Sequence, residues 1–380
     1  MLRAVLLALA ALLACAGPAG AASSSAQKQL DAQVEALVKM KGGPPGAIAV
    51  VQRGAQRSIA RAGFGNVRTR APMRTTDEMR MASTSKAFSG AVALSLVDKG
   101  VLSLSDTIGQ RLPTLPAAWA SVTLAQALQH TSGLPDFSKS KGWQAAVGKN
   151  TRAPILPHAR LLDFVASEPL VFAPGSEFQY DNSDNIVVAL MAEAATGQTY
   201  NALLASEVYA PLGLDHTSLP DGFRLHAPYI HGYDVTTRVP EDISTALSSS
   251  TVWASGGMVS TPDDTMRFIR GYVGRKLFGE ATQNQQLALV DGHSEPIGPG
   301  VNRSGLGVFE YATRCGTVYG HTGNYPAGYT QFMASSLDGT RSVTFSVNEQ
   351  LDSANLKGTA RKVFAALRRA EVTAVCAALA

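Results

Sequence analysis

Two short apolar stretches open the ordered part of the chain, Ala47 to Gln52 and Ser58 to Phe64, with Arg53-Gly54-Ala55-Gln56-Arg57 between them. β-rich runs joined by a Gly-containing loop predict a hairpin. A second pair lies near the C-terminus, where Tyr329 to Ser335 and Arg341 to Val347 flank Leu337-Asp338-Gly339-Thr340. Asp-Gly is a preferred dipeptide of tight hairpin turns, so these strands are expected to be antiparallel neighbours. Leu356, Ala360, Val363, Phe364 and Leu367 then recur at helical spacing, with Lys357, Arg361 and Arg368 off that face. That spacing predicts a terminal helix whose apolar side covers a sheet. Between about residues 95 and 240 helical stretches such as Leu124 to Leu128 and Ile186 to Ala195 alternate with Pro/Gly punctuation at Leu134-Pro135, Ala173-Pro174-Gly175 and Pro211-Leu212-Gly213. The pattern predicts a sheet lobe from residues 22–95 and 240–380 and a helical lobe over 96–239, closing together on one cleft.

The first residues read as a targeting segment. Arg3 precedes an apolar stretch of 12 residues, Ala4 to Cys15, and Ala19-Gly20-Ala21 fits the small-x-small cleavage rule. Residues 1–21 are therefore expected to be a signal peptide, and the protein to be secreted. Twelve residues do not span a bilayer, and no later stretch reaches the length of a transmembrane helix. Cys15 follows Leu12-Leu13-Ala14, a loose lipoprotein box, which makes a lipid anchor the minor alternative. Without Cys15, Cys315 and Cys376 remain as an even pair in an oxidising compartment. Parity predicts a disulfide, against the alternative of two unpaired buried thiols. Closing a loop of about 60 residues stabilises by roughly 4 kcal/mol on the chain-entropy account.

At 380 residues, with 45% hydrophobic and 16% charged positions, the chain is globular; disordered, collagenous and coiled-coil classes are excluded. A net charge of +4 without like-charge runs gives no footprint for nucleic acid. A small molecule or peptide is the expected partner, and a monomer the expected state.

Dinucleotide, ATP and zinc motifs are missing, as is a Gly-x-Ser-x-Gly elbow, so no cofactor and no metal is expected. Ser-x-x-Lys is present in three copies, Ser25 to Lys28, Ser83 to Lys86 and Ser138 to Lys141. The first sits at the mature N-terminus and the third in a polar stretch after a Gly-Leu-Pro turn; both are read as solvated. Ser83 instead opens the run Ala87 to Val97, a helix apolar nearly all round and hence buried. A lysine inside such a helix asks for a use. Residues i and i+3 share a helix face, so Lys86 can bring a desolvated amine of lowered pKa to the Ser83 hydroxyl, making a nucleophile. The helix start also offers backbone N–H groups to an oxyanion. His158, His226, His231 and His293 are read as ordinary surface or core histidines.

Two further tripeptides follow in order, Tyr180-Asp181-Asn182 and His321-Thr322-Gly323. With Ser83 and Lys86 they compose a motif set related to Ser-x-x-Lys, Ser-Asp-Asn and Lys-Thr-Gly. The sequence resembles the serine β-lactamase and penicillin-binding protein superfamily, in the branch of class C β-lactamases and secreted actinobacterial D-alanyl-D-alanine carboxypeptidases. The likeness runs from about Pro45 to the C-terminus and includes Gly100 to Asp106, His130 to Pro135, Phe172 to Gly175 and Ser255 to Thr261. It implies an α/β (α+β) fold, an antiparallel sheet flanked by helices and built from both chain ends, with an all-helical lobe inserted.

The resemblance also implies roles. Ser83 would carry the acyl group, Lys86 and Tyr180 would share general-base and general-acid work, and Asn182 would bind the substrate amide. Thr322, Gly323 and the strand edge from His321 to Asn324 would bind substrate backbone and carboxylate, with the N–H groups of Ser83 and Asn324 as oxyanion donors. His321 stands where lysine is usual, which leaves its charge open. His130 to Gly133 and Gly256-Gly257 are assigned to backbone geometry. Cys315 and Cys376 match a disulfide position of the carboxypeptidases. In those relatives an arginine upstream of the cysteine helps hold the substrate's terminal carboxylate; here Val308 to Arg314 offers only Arg314, with Arg303 nearby. The first expectation is a D-Ala-D-Ala carboxypeptidase acting on peptidoglycan stem peptides and binding β-lactams. An esterase or amidohydrolase, a class C-like β-lactamase and a non-enzymatic sensor are the alternatives.

Overall fold

The computed structural model describes residues 19–148, 155–236, 239–351 and 357–380. Residues 1–18 with Cys15, and Leu356 of the terminal helix, lie outside the described residues; Ala19 to Ala21 fall in the first helix. Eight strands make one antiparallel sheet: β1 (Gly46–Arg53), β2 (Gln56–Gly63), β3 (Val290–Asp291), β4 (Val301–Ser304), β5 (Phe309–Thr313), β6 (Gly316–Tyr325), β7 (Tyr329–Ser335) and β8 (Arg341–Val347). Their order is β2-β1-β8-β7-β6-β5-β4-β3, so the N-terminal hairpin closes directly on the C-terminal one. Ala49 pairs with Phe345 across that junction and Met333 with Thr344 across the next. The β7–β8 turn works as its Asp-Gly pair predicts. Asp338 Oδ1 accepts from Thr340 N at 2.9 Å, and Gly339 takes φ +69°, where a side chain would be strained.

The main helices are α1 (Ala19–Lys39), α2 (Ser85–Asp98), α3 (Leu124–Gln129), α4 (Ser183–Thr196), α5 (Pro262–Val273) and α6 (Gly358–Leu379). Alternation along the strands splits the interior into two cores. Ala47, Ala49, Val51, Val343 and Phe345 pack on α1 and α6 through Leu30, Val34, Val363 and Leu367. Ile48 and Met333 face the other way, into a core shared with α2, α4 and α5. The terminal helix starts later than its spacing suggested: Ala360 is exposed, and the buried face begins at Val363. No helix among the described residues is long and apolar enough to cross a membrane.

Helix α2 is buried from Ser85 through Leu96 because it is enclosed by α4, α5 and the sheet. Phe88 stacks on Phe268 of α5 with ring centroids 3.6 Å apart. Truncating such a buried ring costs about 3–5 kcal/mol. The stiffness of this helix fixes the position of everything at its N-terminal end.

Candidate active site

Ser83 lies in a single 3-10 turn, Ala82–Thr84, and the α-helix proper begins two residues later. The turn is entered through Ala82 at φ +52°, a left-handed conformation that a non-glycine residue holds only when its surroundings impose it. Strand β6 imposes it from one side. A Cβ on Gly323 would fall 2.8 Å from Met81 O, 2.9 Å from Ala82 Cβ and 3.1 Å from Ser83 N, so only glycine lets the strand lie against the serine turn.

Lys86 follows one turn later and is 1% exposed. Its Nζ lies 3.4 Å from Ser83 Oγ, 2.7 Å from Asn182 Oδ1 and 2.8 Å from the carbonyl oxygen of Ser255. Burial pulls the Lys86 pKa down to about 8, against the pull of Asp136, Asp181 and Asp184. The Asn182 and Ser255 oxygens can only accept, whereas Ser83 can donate. A neutral Lys86 therefore satisfies both acceptors with its two hydrogens and turns its lone pair to the Ser83 hydroxyl.

Tyr180 precedes α4, with its ring centroid 5.0 Å from Lys86 Nζ. Its hydroxyl is buried and makes no hydrogen bond of normal geometry among the described residues; Ser83 is close enough to oppose, without cancelling, the strong upward push that burial gives the phenol pKa. At neutral pH Tyr180 keeps its proton, so its hydroxyl is able to donate, and a neutral Lys86 is the neighbouring group able to accept a proton. The His130 ring packs on Tyr180 at 4.7 Å, and its Nδ1 lies 2.8 Å from Asp184 Oδ2. His130 was assigned to backbone geometry; it does end α3 at φ +62°, and it also forms the floor beneath Tyr180. Burial drives the His130 pKa down to about 3, so its ring is uncharged at neutral pH, and pushes that of Asp184 up.

Asn182 holds its carboxamide in one orientation. The oxygen accepts from Lys86, and Nδ2 donates to Ser138 Oγ at 2.9 Å and to the Asp136 carboxylate at 3.2 Å. This overturns the reading of Ser138 as a solvated copy of the motif. The turn after Leu134-Pro135 folds Ser138 into the cleft wall, while Lys141 of the same copy is exposed. Ser25 is exposed, as expected.

His321, Thr322, Gly323 and Asn324 occupy the distal half of β6. Strand β7 pairs with β6 through Tyr325, but β5 pairs with it only from Gly316 to Gly320. Among the described residues one edge from His321 onward is thus unpaired, and it faces the cleft. His321 is 1% exposed, and burial brings its pKa down to about 3, so the position occupied by lysine in related motifs carries no charge here at neutral pH. Asn324 turns its side chain away, donating to Leu351 O and accepting from Gln350, both at 2.7 Å. The cleft has a volume of about 540 Å³ and brings Ser83, Tyr180, Asn182, Thr322, Gly323 and Asn324 into one wall.

Cys315 and Cys376 form a disulfide, Cα–Cα 5.2 Å, that ties the β5–β6 turn to α6. Neither arginine considered from the sequence lines the cleft: Arg303 pairs with Glu310 at 2.8 Å, and Arg314 is exposed. Asn302, beside Arg303, is buried and donates from Nδ2 to Pro296 O at 2.8 Å. Asp136, Ser138 and Ser255 are the site residues that sequence reasoning missed. The stretches containing Leu134-Pro135 and Ser255-Gly256-Gly257 carried the signal, since turns of that kind bring backbone close to a site.

The family profile described as Beta-lactamase matches residues 30–367. The chain is 24% identical over 305 residues to Penicillin-binding protein 4* of Bacillus subtilis, covering 76% of this chain and 65% of that protein. It spans less than two thirds of the length of the curated relatives it matches, down to 39% for Protein flp of Staphylococcus aureus. Among solved structures it is similar to a D-stereospecific amidohydrolase from Streptomyces sp. at 25% identity and TM-score 0.72, covering 85% of this chain and 94% of that one. The D-amino acid amidase of Ochrobactrum anthropi SV3, complexed with L-phenylalanine, shares the fold at TM-score 0.78 and 21% identity, with coverage of 93% and 98%. A match reaching from within α1 into α6 takes in most of both cores and of the cleft: the chain belongs to the Beta-lactamase family, the serine β-lactamase and penicillin-binding protein superfamily of hydrolases.

Proposed function

We propose that this protein is a D-alanyl-D-alanine carboxypeptidase that cleaves peptidoglycan stem peptides through an acyl-enzyme on Ser83. The observation that carries the reading is the unpaired edge of β6 beside the serine turn. An extended peptide can add to that edge as a strand, which presents its penultimate carbonyl to Ser83. Neutral Lys86 takes the Ser83 proton as Oγ attacks the carbonyl carbon. The N–H groups of Ser83 and Asn324 hold the resulting oxyanion. Collapse breaks the C–N bond; Tyr180 gives its proton to the departing amine and regains one from Lys86, which returns to its neutral form. Water then attacks the ester, its proton passing by the same two groups to Ser83 Oγ, and the shortened peptide leaves as an acid. Asn182 orients Lys86 on one side and the substrate amide on the other.

A D-amino acid amidase is the second reading, favoured by the similarity to the Streptomyces amidohydrolase. An esterase or a class C-like β-lactamase would use the same groups. Intact mass after mixing with benzylpenicillin, alongside turnover of a D-Ala-D-Ala peptide and of D-phenylalanine amide, separates these readings. A long-lived adduct with peptide turnover is the expected result. Turnover of the amide with no peptide cleavage overturns the carboxypeptidase in favour of the amidase. An adduct that vanishes as drug is consumed points to a lactamase.

A further inference from the structure

A peptide that ends at the cleaved residue carries a free carboxylate past the scissile bond, and a cleft selective for it needs a cation at that end. Among the described residues that line the cleft, the cationic side chains are Lys139 and Arg368, and Lys86 lies buried behind Ser83. Lys86 is committed to Ser83, Asn182 and Ser255. Lys139 is 66% exposed and lies 3.8 Å from the Asp136 carboxylate, so it is both hydrated and compensated.

Arg368 is built differently. It projects from α6, and its side chain is 16% exposed. Nη1 donates to Glu371 Oε2 at 2.6 Å, and the guanidinium lies 4.7 Å above the Phe364 ring, which lines the cleft with it. Glu371 is 1% exposed and so serves as a fixed anchor. One edge of the guanidinium is held in this way, while Nε on another edge is buried with no partner among the described residues. An orphaned buried donor costs free energy unless something supplies an acceptor. Arg368 and Phe364 line the same cleft as Thr322, Gly323 and Asn324, which puts the guanidinium on the cleft bordered by the strand edge that takes the substrate. The Cys315–Cys376 bridge joins α6 to the β5–β6 turn two helical turns beyond Arg368 and fixes that spacing. Of the acids that line the cleft, Glu295 is exposed and Asp136 faces Lys139 and Asn182.

We propose that Arg368 is the residue that selects substrates ending in a carboxylate, with Glu371 as the residue that positions its guanidinium. The proposal rests on the carboxypeptidase reading and assigns it a cation on α6, where neither Arg303 nor Arg314 reaches the cleft. The guanidinium is suited to the task because it offers paired donors to a carboxylate's two oxygens.

The test compares kcat/KM for an N-acetylated D-alanyl-D-alanine peptide with that for the same peptide ending in a carboxamide. In Arg368→Gln the carboxylate-over-carboxamide preference is expected to fall roughly 10- to 100-fold, with the loss residing in KM. Arg368→Lys should recover part of it. Because removing one partner of a buried pair destabilises, the double variant Arg368→Gln/Glu371→Gln is measured alongside, with melting temperatures for all. An unchanged preference in folded variants overturns the proposal. If the wild type cleaves neither peptide, the carboxypeptidase reading fails by itself. Arg368 is then judged by Ser83 acylation with benzylpenicillin against its methyl ester. A preference for the free acid that Arg368→Gln erases supports the proposal; equal rates, or no adduct with either, overturn it.

Discussion

Lys86 Nζ and Asn182 Oδ1 are 2.7 Å apart, which makes the lysine's protonation depend on an uncharged neighbour. Replacing that amide oxygen by a carboxylate oxygen favours the ammonium form. Asn182→Asp is expected to move the acidic limb of kcat/KM upward by about one pH unit or more, with lower activity at neutral pH. An unshifted limb in a folded Asn182→Asp protein would show that Lys86 does not control the profile.

In the wild type the same limb should sit where Lys86 titrates. The folded pKa of about 8 lies below the ordinary lysine value of 10.5, and the neutral amine is the active form. Activity therefore rises as pH increases through about 8 and levels off above it. A flat kcat/KM between about pH 6 and 9 would remove Lys86 as the base.

Ser83→Ala is expected to abolish both hydrolysis and the benzylpenicillin adduct while leaving the melting temperature close to wild type, because Ser83 is partly exposed at the cleft. Turnover by a folded Ser83→Ala protein would sink the assignment of the nucleophile.

Ser138→Ala tests a residue that the sequence placed in solvent and the structure places on Asn182 at 2.9 Å. Loss of one hydrogen bond to the Asn182 amide should lower kcat by roughly 3- to 10-fold. Ser25→Ala, at an exposed position, should have no effect. Equal kinetics for both variants would mean that the Asn182 amide is held adequately by Asp136.

Gly323→Ala puts a methyl group 2.9 Å from Ala82 Cβ and 2.8 Å from Met81 O. Strand and serine turn must separate, and a displacement near 1 Å costs on the order of 100-fold in rate. The expected signature is a large fall in kcat with a modest fall in melting temperature. Wild-type kcat would show that the turn tolerates the added group.

The sequence was sufficient for features set by local spacing. Both hairpins lie where the apolar runs and the Asp-Gly pair put them, because turn geometry and strand alternation are properties of a few adjacent residues. Ser83 and Lys86 were legible for the same reason: i and i+3 on a helix that is apolar all round meet regardless of the rest of the chain. The charge state of His321 was not legible, since it follows from burial among Phe309, Tyr180 and Lys86, contributed by distant segments. Ser138 and His130 joined the site through long-range folding as well, one across 44 residues to Asn182 and the other across 54 to Asp184. Arg368 is the clearest case. On the helix surface it reads as a polar residue off the packed face, and only the closure of α6 over the sheet brings it to the cleft that Ser83 opens. Contacts within one helical turn or one hairpin are dictated locally; burial, charge compensation and the walls of a cleft belong to the folded chain as a whole.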